Sequence, residues 1–214
     1  MNRAVRHALS ALALVAAAAG ANPGPDEATA ADRALVDAIA ADDVEAARAA
    51  LDVGASPDAW TGIEAVEMAV CNATRPGRAE LLELLIARGA DVDRQYVEAP
   101  LRYGAPLACA INFGNRAAFD RLLEAGASPD RTLCPDCLSA SLDTDVLATA
   151  AIAREYGMML RLLELTPPSE EGLFNVVFTI ERRRPPTDPE SLSDREAVIE
   201  WLRANGHAVA PRED

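Results

Sequence analysis

The sequence predicts an all-α solenoid of about five helix-turn-helix repeats, joined by extended, β-hairpin-like fingers. The first observation is a five-residue pattern, Gly-Ala-Ser/Asp-X-Asp, which occurs at residues 54–58, 89–93 and 126–130. The second is an apolar run before each pattern and a shorter, Ala-rich run upstream of it, as expected for pairs of helices. The third is the composition, because 50% of the residues are apolar and only 4% are aromatic. Small side chains favour close helix packing over a strand-rich core.

The first element is predicted to be a secretory signal over residues 1–21. Arg3 and Arg6 give it a positive start, residues 8–19 are apolar, and an Ala-X-Ala cleavage pattern ends at Ala21. The alternative is an uncleaved membrane anchor, but a spanning helix needs about 20 apolar residues and this run is shorter. We therefore expect cleavage after Ala21 and a periplasmic or secreted protein with no membrane attachment after cleavage.

A flexible linker is predicted at residues 22–31, where Pro and Gly occur without apolar periodicity. The repeat domain follows over residues 32–210, and residues 211–214 form a tail. Each repeat is expected to pair a short inner helix with a more apolar outer helix that ends at a Gly, because Gly adopts the left-handed conformation without steric cost. The inner helices are predicted at residues 35–41, 66–71, 107–113, 146–153 and 173–180, and the closing residues are Gly54, Gly89, Gly126, Thr166 and Gly206.

Two repeats depart from the common spacing. The second is predicted to carry four extra residues around 72–77, and the fifth 14 extra residues around 182–192. Ser193 and Glu196 then have the spacing of a capping box. This pattern predicts that the last outer helix begins at Ser193.

The repeats resemble the ankyrin repeat. In the third copy, residues 104–110 read Gly-Ala-Pro-Leu-Ala-Cys-Ala where the family has Gly-Thr-Pro-Leu-His-X-Ala, and Gly114-Asn115 stands at the turn between the helices. The resemblance covers about residues 32–210 as five repeats. The motif His is absent from every copy, so the hydrogen bonds that it would make between repeats are not expected here. The alternative is a tetratricopeptide or Sel1-like array, and the Gly-Ala-Asp/Ser endings favour the ankyrin repeat.

The charged residues exclude several kinds of chemistry. All 20 basic residues are Arg, so the chain can form neither a P-loop lysine nor a Schiff base. Only two His occur, which argues against a Ser-His-Asp triad and against a His-rich metal site. The net charge of −14 argues against nucleic acid and favours a basic partner. We expect no enzymatic activity and no cofactor or resident metal.

The ankyrin resemblance implies that a partner binds on the concave face formed by the inner helices and the fingers. The two middle fingers, which follow Gly89 and Gly126, are predicted to be the longest. Tyr, Trp and Arg are the residue types that most often anchor interfaces. The alternative is that the aromatic residues of the fingers pack finger against finger. The candidate partner-binding residues are Trp60 in the first finger, Tyr96 and Tyr103 in the second, and Arg131 in the third.

Four cysteines require an assignment. Cys134 and Cys137 have the C-x-x-C spacing of a redox site, but such a site needs a βαβ setting that this sequence does not predict. We interpret them as a local disulfide that ties the third finger, which suits an oxidising compartment. Cys71 and Cys109 fall on inner helices and are predicted to be buried thiols, although adjacent repeats could bring them near each other. The spacing of the four does not match a zinc site.

The sequence thus predicts a monomeric, non-enzymatic module of the periplasm that binds a protein partner. The abundance of Ala and Arg without Lys suits a bacterium with a GC-rich genome. Two alternatives remain open. One is an immunity or inhibitor protein that neutralises a periplasmic toxin or hydrolase. The other is a thiol-disulfide redox protein that uses Cys134 and Cys137.

Overall fold

A computed structural model describes residues 28–62, 68–94, 105–130 and 145–210. These residues form ten α-helices arranged as five consecutive pairs, which confirms the predicted all-α repeat architecture. The helices are α1 (Ala30–Ala40), α2 (Val44–Asp52), α3 (Ala69–Ala73), α4 (Ala79–Ala87), α5 (Pro106–Asn112), α6 (Arg116–Glu124), α7 (Val146–Ala153), α8 (Tyr156–Leu165), α9 (Glu170–Arg182) and α10 (Pro189–Ala204).

The helices form two layers. The inner layer consists of α1, α3, α5, α7 and α9, each in contact with the next, and the outer layer is built in the same way from α2, α4, α6, α8 and α10. One continuous apolar core lies between the layers, with fully buried side chains from every pair. Within the described ranges, no helix combines the length and the apolar character needed to cross a membrane.

Polar side chains decide where several helices begin. Thr29 and Asp32 form a reciprocal capping box, so α1 starts at Ala30, inside the segment that the sequence assigned to the linker. Asp188 caps α10 by accepting a hydrogen bond from Ser191 N–H, and Pro189 occupies the first helical position, where its missing N–H costs nothing. The predicted start at Ser193 is therefore wrong, because an Asp-Pro pair five residues upstream already supplies the N-terminal signal.

The four closing glycines all adopt positive φ angles, as predicted: 104° at Gly54, 83° at Gly89, 98° at Gly126 and 84° at Gly206. Thr166 ends α8 in an extended conformation instead, with φ −148°. The fourth repeat therefore passes into the fifth without a left-handed residue.

The second repeat has a different register from the one predicted. Its inner helix α3 starts at Ala69 and continues to Ala73, past the predicted end at Cys71. Cys71 lies against Cys109 of the next inner helix, which aligns Ala73 with Ile111. Measured from these positions to the closing glycines, the second repeat is one residue longer than the third, not four.

A series of aspartates links successive repeats, and we call it the aspartate ladder. In each case a carboxylate oxygen accepts a hydrogen bond from the backbone N–H at the start of the next finger. Hydrogen bonds thus join the repeats of this chain although the motif His is absent. The three rungs run from Ser56 N to Asp32, from Asp91 N to Asp58 and from Ser128 N to Asp93, each 2.8 Å long.

Candidate partner-binding surface

The connections between repeats differ in length. Residues 88–105 join α4 to α5 and residues 125–145 join α6 to α7, whereas residues 166–169 alone join α8 to α9. The two middle fingers are therefore the longest, as the sequence predicts. Part of the first finger pairs like a hairpin, since Trp60 and Met68 form an antiparallel bridge.

Five of the predicted site residues lie outside the described residues: Tyr96, Tyr103, Arg131, Cys134 and Cys137. Their assignments as partner-binding residues and as a local disulfide stay predictions. The structure does describe the residues at which these two fingers begin and end.

Buried charge holds the start of the second finger. Arg94 is buried, and its Nη1 atom lies 3.9 Å from Asp58 Oδ2. Asp58 also accepts the backbone hydrogen bond from Asp91. Burial raises the pKa of Asp58 above its usual value, and the hydrogen bond from Asp91 and the charge of Arg94 only partly offset this effect. Three polar groups thus fix the chain immediately before the segment that contains Tyr96.

Hydrogen bonds fix both ends of the third finger. At its start, Ser128 donates to Asp93 through its backbone N–H (2.8 Å) and its hydroxyl (2.7 Å). At its end, Asp145 caps α7 by accepting from Ala148 N–H at 2.6 Å, and it also accepts a hydrogen bond from the Ser169 hydroxyl. The two repeats that flank the finger therefore set the positions of its ends.

Trp60 is buried instead of facing a partner. Its side chain is 6% exposed and packs with Met68, Cys71 and Cys109, while its indole N–H donates to the carbonyl of Gly62. This placement agrees with the alternative interpretation, in which finger aromatics pack within the protein. We therefore leave Trp60 out of the binding surface proposed below.

The cluster around Trp60 contains a disulfide that the sequence analysis did not assign. Cys71 of α3 and Cys109 of α5 are both buried, as predicted, but they are bonded to each other, with their Cα atoms 5.4 Å apart, and are not thiols. The predicted register of the second repeat did not place the two cysteines at equivalent positions. In the observed register the two cysteines occupy equivalent positions of adjacent inner helices, and that equivalence is the signal that would have found the bond.

Large apolar side chains are exposed at the C-terminal end of the inner layer. Ile152 of α7 is 62% exposed, and Phe174 and Phe178 of α9 are 67% and 42% exposed. The two phenyl rings stack with centroids 6.2 Å apart, and the Arg183 guanidinium lies 6.0 Å from the Phe178 ring centre. We call Phe174, Phe178 and Arg183 the C-terminal aromatic patch. The sequence analysis placed Phe174 and Phe178 in an inner helix and did not single them out.

The outer layer has grooves between neighbouring helices, with charged rims. One of about 550 Å³ lies between α6 and α8, and Arg116 and Arg161 are among its lining residues. Another of about 360 Å³ lies between α4 and α6, where Arg121 makes a two-point contact with Glu83 at 2.5 and 3.0 Å. Within the described residues, no group of three or more His, Cys, Asp or Glu side chains is placed to hold a metal ion.

Comparison with known proteins shows the fold. No protein-family model matches the sequence, and no curated protein does. Among solved structures, the ankyrin repeat domain of human ASB11 is similar with a TM-score of 0.56 and 19% sequence identity. The match covers 84% of this chain and 71% of that chain. The chain therefore has an ankyrin-repeat fold.

Proposed function

We propose that this protein is a non-enzymatic, protein-binding module that works outside the cytoplasm. The observation that carries the proposal is the stack itself: five helix pairs with two long fingers, of which the second is held at its start and the third at both ends. A repeat stack of this kind presents one long surface to a partner, because each repeat uses its other faces to pack on its neighbours. Inner helices and fingers supply that surface.

The fixed finger ends support binding in a second way. A loop that is held at both ends loses less conformational entropy when a partner orders it. Asp58 and Arg94 form an ion pair at the start of the second finger. Asp93 accepts a hydrogen bond from Ser128 at the start of the third. Tyr96, Tyr103 and Arg131 are the residues that we expect to contact the partner from these fingers, and the net charge of −14 favours a basic protein.

The disulfide supports an extracytoplasmic location. Disulfides form and persist in oxidising compartments and are rare in the cytosol. The Cys71–Cys109 bond is fully buried and joins two repeats, so it is part of the folded stack. The apolar segment at residues 8–19, with Arg3 and Arg6 before it, fits the same interpretation. Intact mass measurement of the secreted protein should give a chain that begins at Asn22, and a chain that begins at Met1 would contradict this location.

Photo-crosslinking tests which layer binds. A photoreactive phenylalanine analogue is placed at Asn112, an exposed position of inner helix α5, or at Ala117, an exposed position of outer helix α6 in the same repeat. Extracts of the compartment in which the protein resides supply the partner. We expect a specific crosslinked product from position 112 and none from position 117. The reverse pattern would contradict binding through the inner face.

A further inference from the structure

We infer that the C-terminal aromatic patch and the acidic start of α9 together bind a basic, partly apolar segment of a partner protein. This inference rests on the proposed function and deepens it, because it assigns one described part of the inner layer to one kind of partner chemistry. The Arg or Lys side chains of the segment contact Glu170 and Glu171, and its apolar side chains contact Phe174 and Phe178.

The exposure of Phe174 has no explanation within the stack. In three other inner helices the residue that follows the motif leucine is buried: Val36, Ala108 and Ala148. In α9 that residue is Phe174, which is 67% exposed. An end repeat is expected to present polar side chains to solvent, because no further repeat covers it. A large exposed aromatic residue at this position therefore indicates a contact with another molecule.

The two phenyl rings share one face of α9 with two carboxylates. Residues 170, 171, 174 and 178 follow one another at intervals of three or four, which is the spacing of neighbours on a helix surface. The rings stack with 6.2 Å between their centroids, so they form one apolar surface. Glu170 and Glu171 extend this surface toward the start of the helix. Neither of them forms an ion pair with a residue that the structure describes.

A small acidic cavity lies where α9 begins. Its volume is about 250 Å³, and its lining residues include Asp130, Asp145 and Ser169, the residue before Glu170, but no described Arg or His. Asp145 is only 8% exposed. It accepts hydrogen bonds from Ala148 N–H and from the Ser169 hydroxyl, but within the described chain it forms no ion pair. Since buried charges are usually paired, a basic side chain of the partner would balance the charge at this end.

The other end of the helix carries charges of both signs, which sets the direction of the bound segment. The Arg183 guanidinium lies 6.0 Å from the Phe178 ring centre. Glu181, three residues after Phe178, accepts a hydrogen bond from Ala210 N–H at 3.0 Å. The start of α9 and the cavity beside it, by contrast, offer carboxylates without a described arginine. The cations of the segment are therefore favoured at the start of α9, with its apolar side chains on the rings.

The charge of the whole molecule favours the same occupant. A net charge of −14 attracts a basic segment and repels an acidic one, and it repels an anionic membrane in the same way. A second copy carries the same net charge and meets the same repulsion. Exposed phenyl rings add to the attraction for a basic segment, because their faces bind guanidinium and ammonium groups. Arg183 makes such a contact with Phe178 within the chain.

Fluorescence polarisation with synthetic peptides tests this inference on the purified protein. The probe peptide has a half rich in Arg followed by a half rich in Leu and Phe, and a matched peptide carries Glu in place of every Arg. We expect the Arg peptide to bind and the Glu peptide to bind at least about tenfold more weakly. Phe174→Ala with Phe178→Ala should weaken binding of the Arg peptide by at least about tenfold. Val53→Ala, at an exposed apolar position of the outer layer, is the control and should leave binding unchanged.

A second pair of variants separates the acidic start of α9 from the overall charge. Glu170→Gln with Glu171→Gln should weaken binding of the Arg peptide by at least about threefold, because it removes two carboxylates that contact the segment. Glu196→Gln with Glu200→Gln, at exposed positions of outer helix α10, removes the same charge and is the control. It should change binding by less than about 1.5-fold at physiological salt, where charges more than about 8 Å apart are largely screened.

Several outcomes would overturn the inference. They are no binding of the Arg peptide, equal binding of the Glu peptide, equal losses in the two glutamine pairs, or full binding by the phenylalanine variant when circular dichroism shows it folded. Binding to phosphatidylcholine vesicles that the phenylalanine variant loses, without binding of the Arg peptide, would make the patch a membrane contact instead. A dimer that dissociates in this variant would assign the patch to a second copy. If the variant still crosslinks to the natural partner through position 112 in undiminished yield, the inference fails and the proposed function stands.

Discussion

At the scale of single residues, the aspartate ladder gives a repeated sequence feature a physical role. The last Asp of the Gly-Ala-Ser/Asp-X-Asp pattern is Asp58 in the first copy and Asp93 in the second, and each accepts a hydrogen bond from the next repeat. Asp32 plays the same part at the start of the stack and also belongs to the capping box of α1. One carboxylate thus stabilises a helix end and a contact between repeats.

Asp32 should stabilise the fold in a pH-dependent way. Burial raises its pKa, but hydrogen bonds from Ser56 N–H and from Thr29 outweigh burial, and the pKa lies below the ordinary value of 3.8. Stabilisation by such a group is complete above the unfolded-state pKa and is lost as the pH falls through the folded-state pKa. We expect Asp32→Asn to lower the free energy of unfolding by about 1–3 kcal/mol at pH 7.

Urea denaturation at several pH values measures this effect. The difference between Asp32→Asn and the wild type should shrink as the pH is lowered from about 7 to about 3. Asp37→Asn, at an exposed position of the same helix, is the control and should change the free energy of unfolding by less than about 0.5 kcal/mol. A difference that stays constant with pH would mean that the charge of Asp32 does not stabilise the fold.

Leu122 tests the packing between layers. It is fully buried in the core, as expected from its place before Gly126. Leu122→Ala should lower the free energy of unfolding by about 2–5 kcal/mol in chemical denaturation, because it removes apolar contacts and leaves a cavity. Leu165→Ala, where the side chain is 43% exposed at the end of α8, should cost less than Leu122→Ala, about 1 kcal/mol. Equal losses in the two variants would contradict the assigned core.

At the scale of helices, the sequence predicted the number and order of elements better than their ends. Closing glycines marked four helix ends because left-handed φ angles favour Gly. The start of α10 was misjudged because Asp188-Pro189 and Ser193 with Glu196 are both valid N-terminal signals, and local sequence does not rank them. The register of α3 was misjudged because a contact distant in sequence, between Cys71 and Cys109, determines it.

The Cys71–Cys109 bond should stabilise the contact between α3 and α5. It closes a loop across 38 positions of sequence. By the loop-entropy relation, a loop of this size contributes about 4 kcal/mol to the free energy of unfolding. We expect Cys71→Ala with Cys109→Ala to keep the helical circular dichroism and to lower the midpoint of urea denaturation substantially. Cys134→Ala with Cys137→Ala, which can remove only a short loop, should have a smaller effect. The opposite order would contradict the structural role assigned to the inter-repeat bond.

At the scale of the whole molecule, the ankyrin-repeat fold follows from pattern repetition, whereas the binding surface follows only in part. Glycine endings and Ala-rich inner helices repeat along the chain, so even an imperfect register gives the correct stack. Residue type alone did not predict the position of Trp60. Its type suggested a partner contact, but Trp60 is buried against Cys71 and Cys109. Phe174 shows the converse, since only its position after the last motif leucine makes its exposure notable.

The central claim is that the protein acts by binding a partner through its inner helices and fingers. Titration calorimetry with the crosslinked partner, once identified, tests it most directly in two double variants. Tyr96→Ala with Tyr103→Ala should weaken binding by at least about 30-fold, which corresponds to the loss of about 2 kcal/mol from a single interface anchor of this type. Cys134→Ser with Cys137→Ser should weaken it only modestly, and both variants should keep the helical signal. Loss of binding or activity in the cysteine variant, with the tyrosine variant unchanged, would contradict the account and favour a thiol-disulfide function.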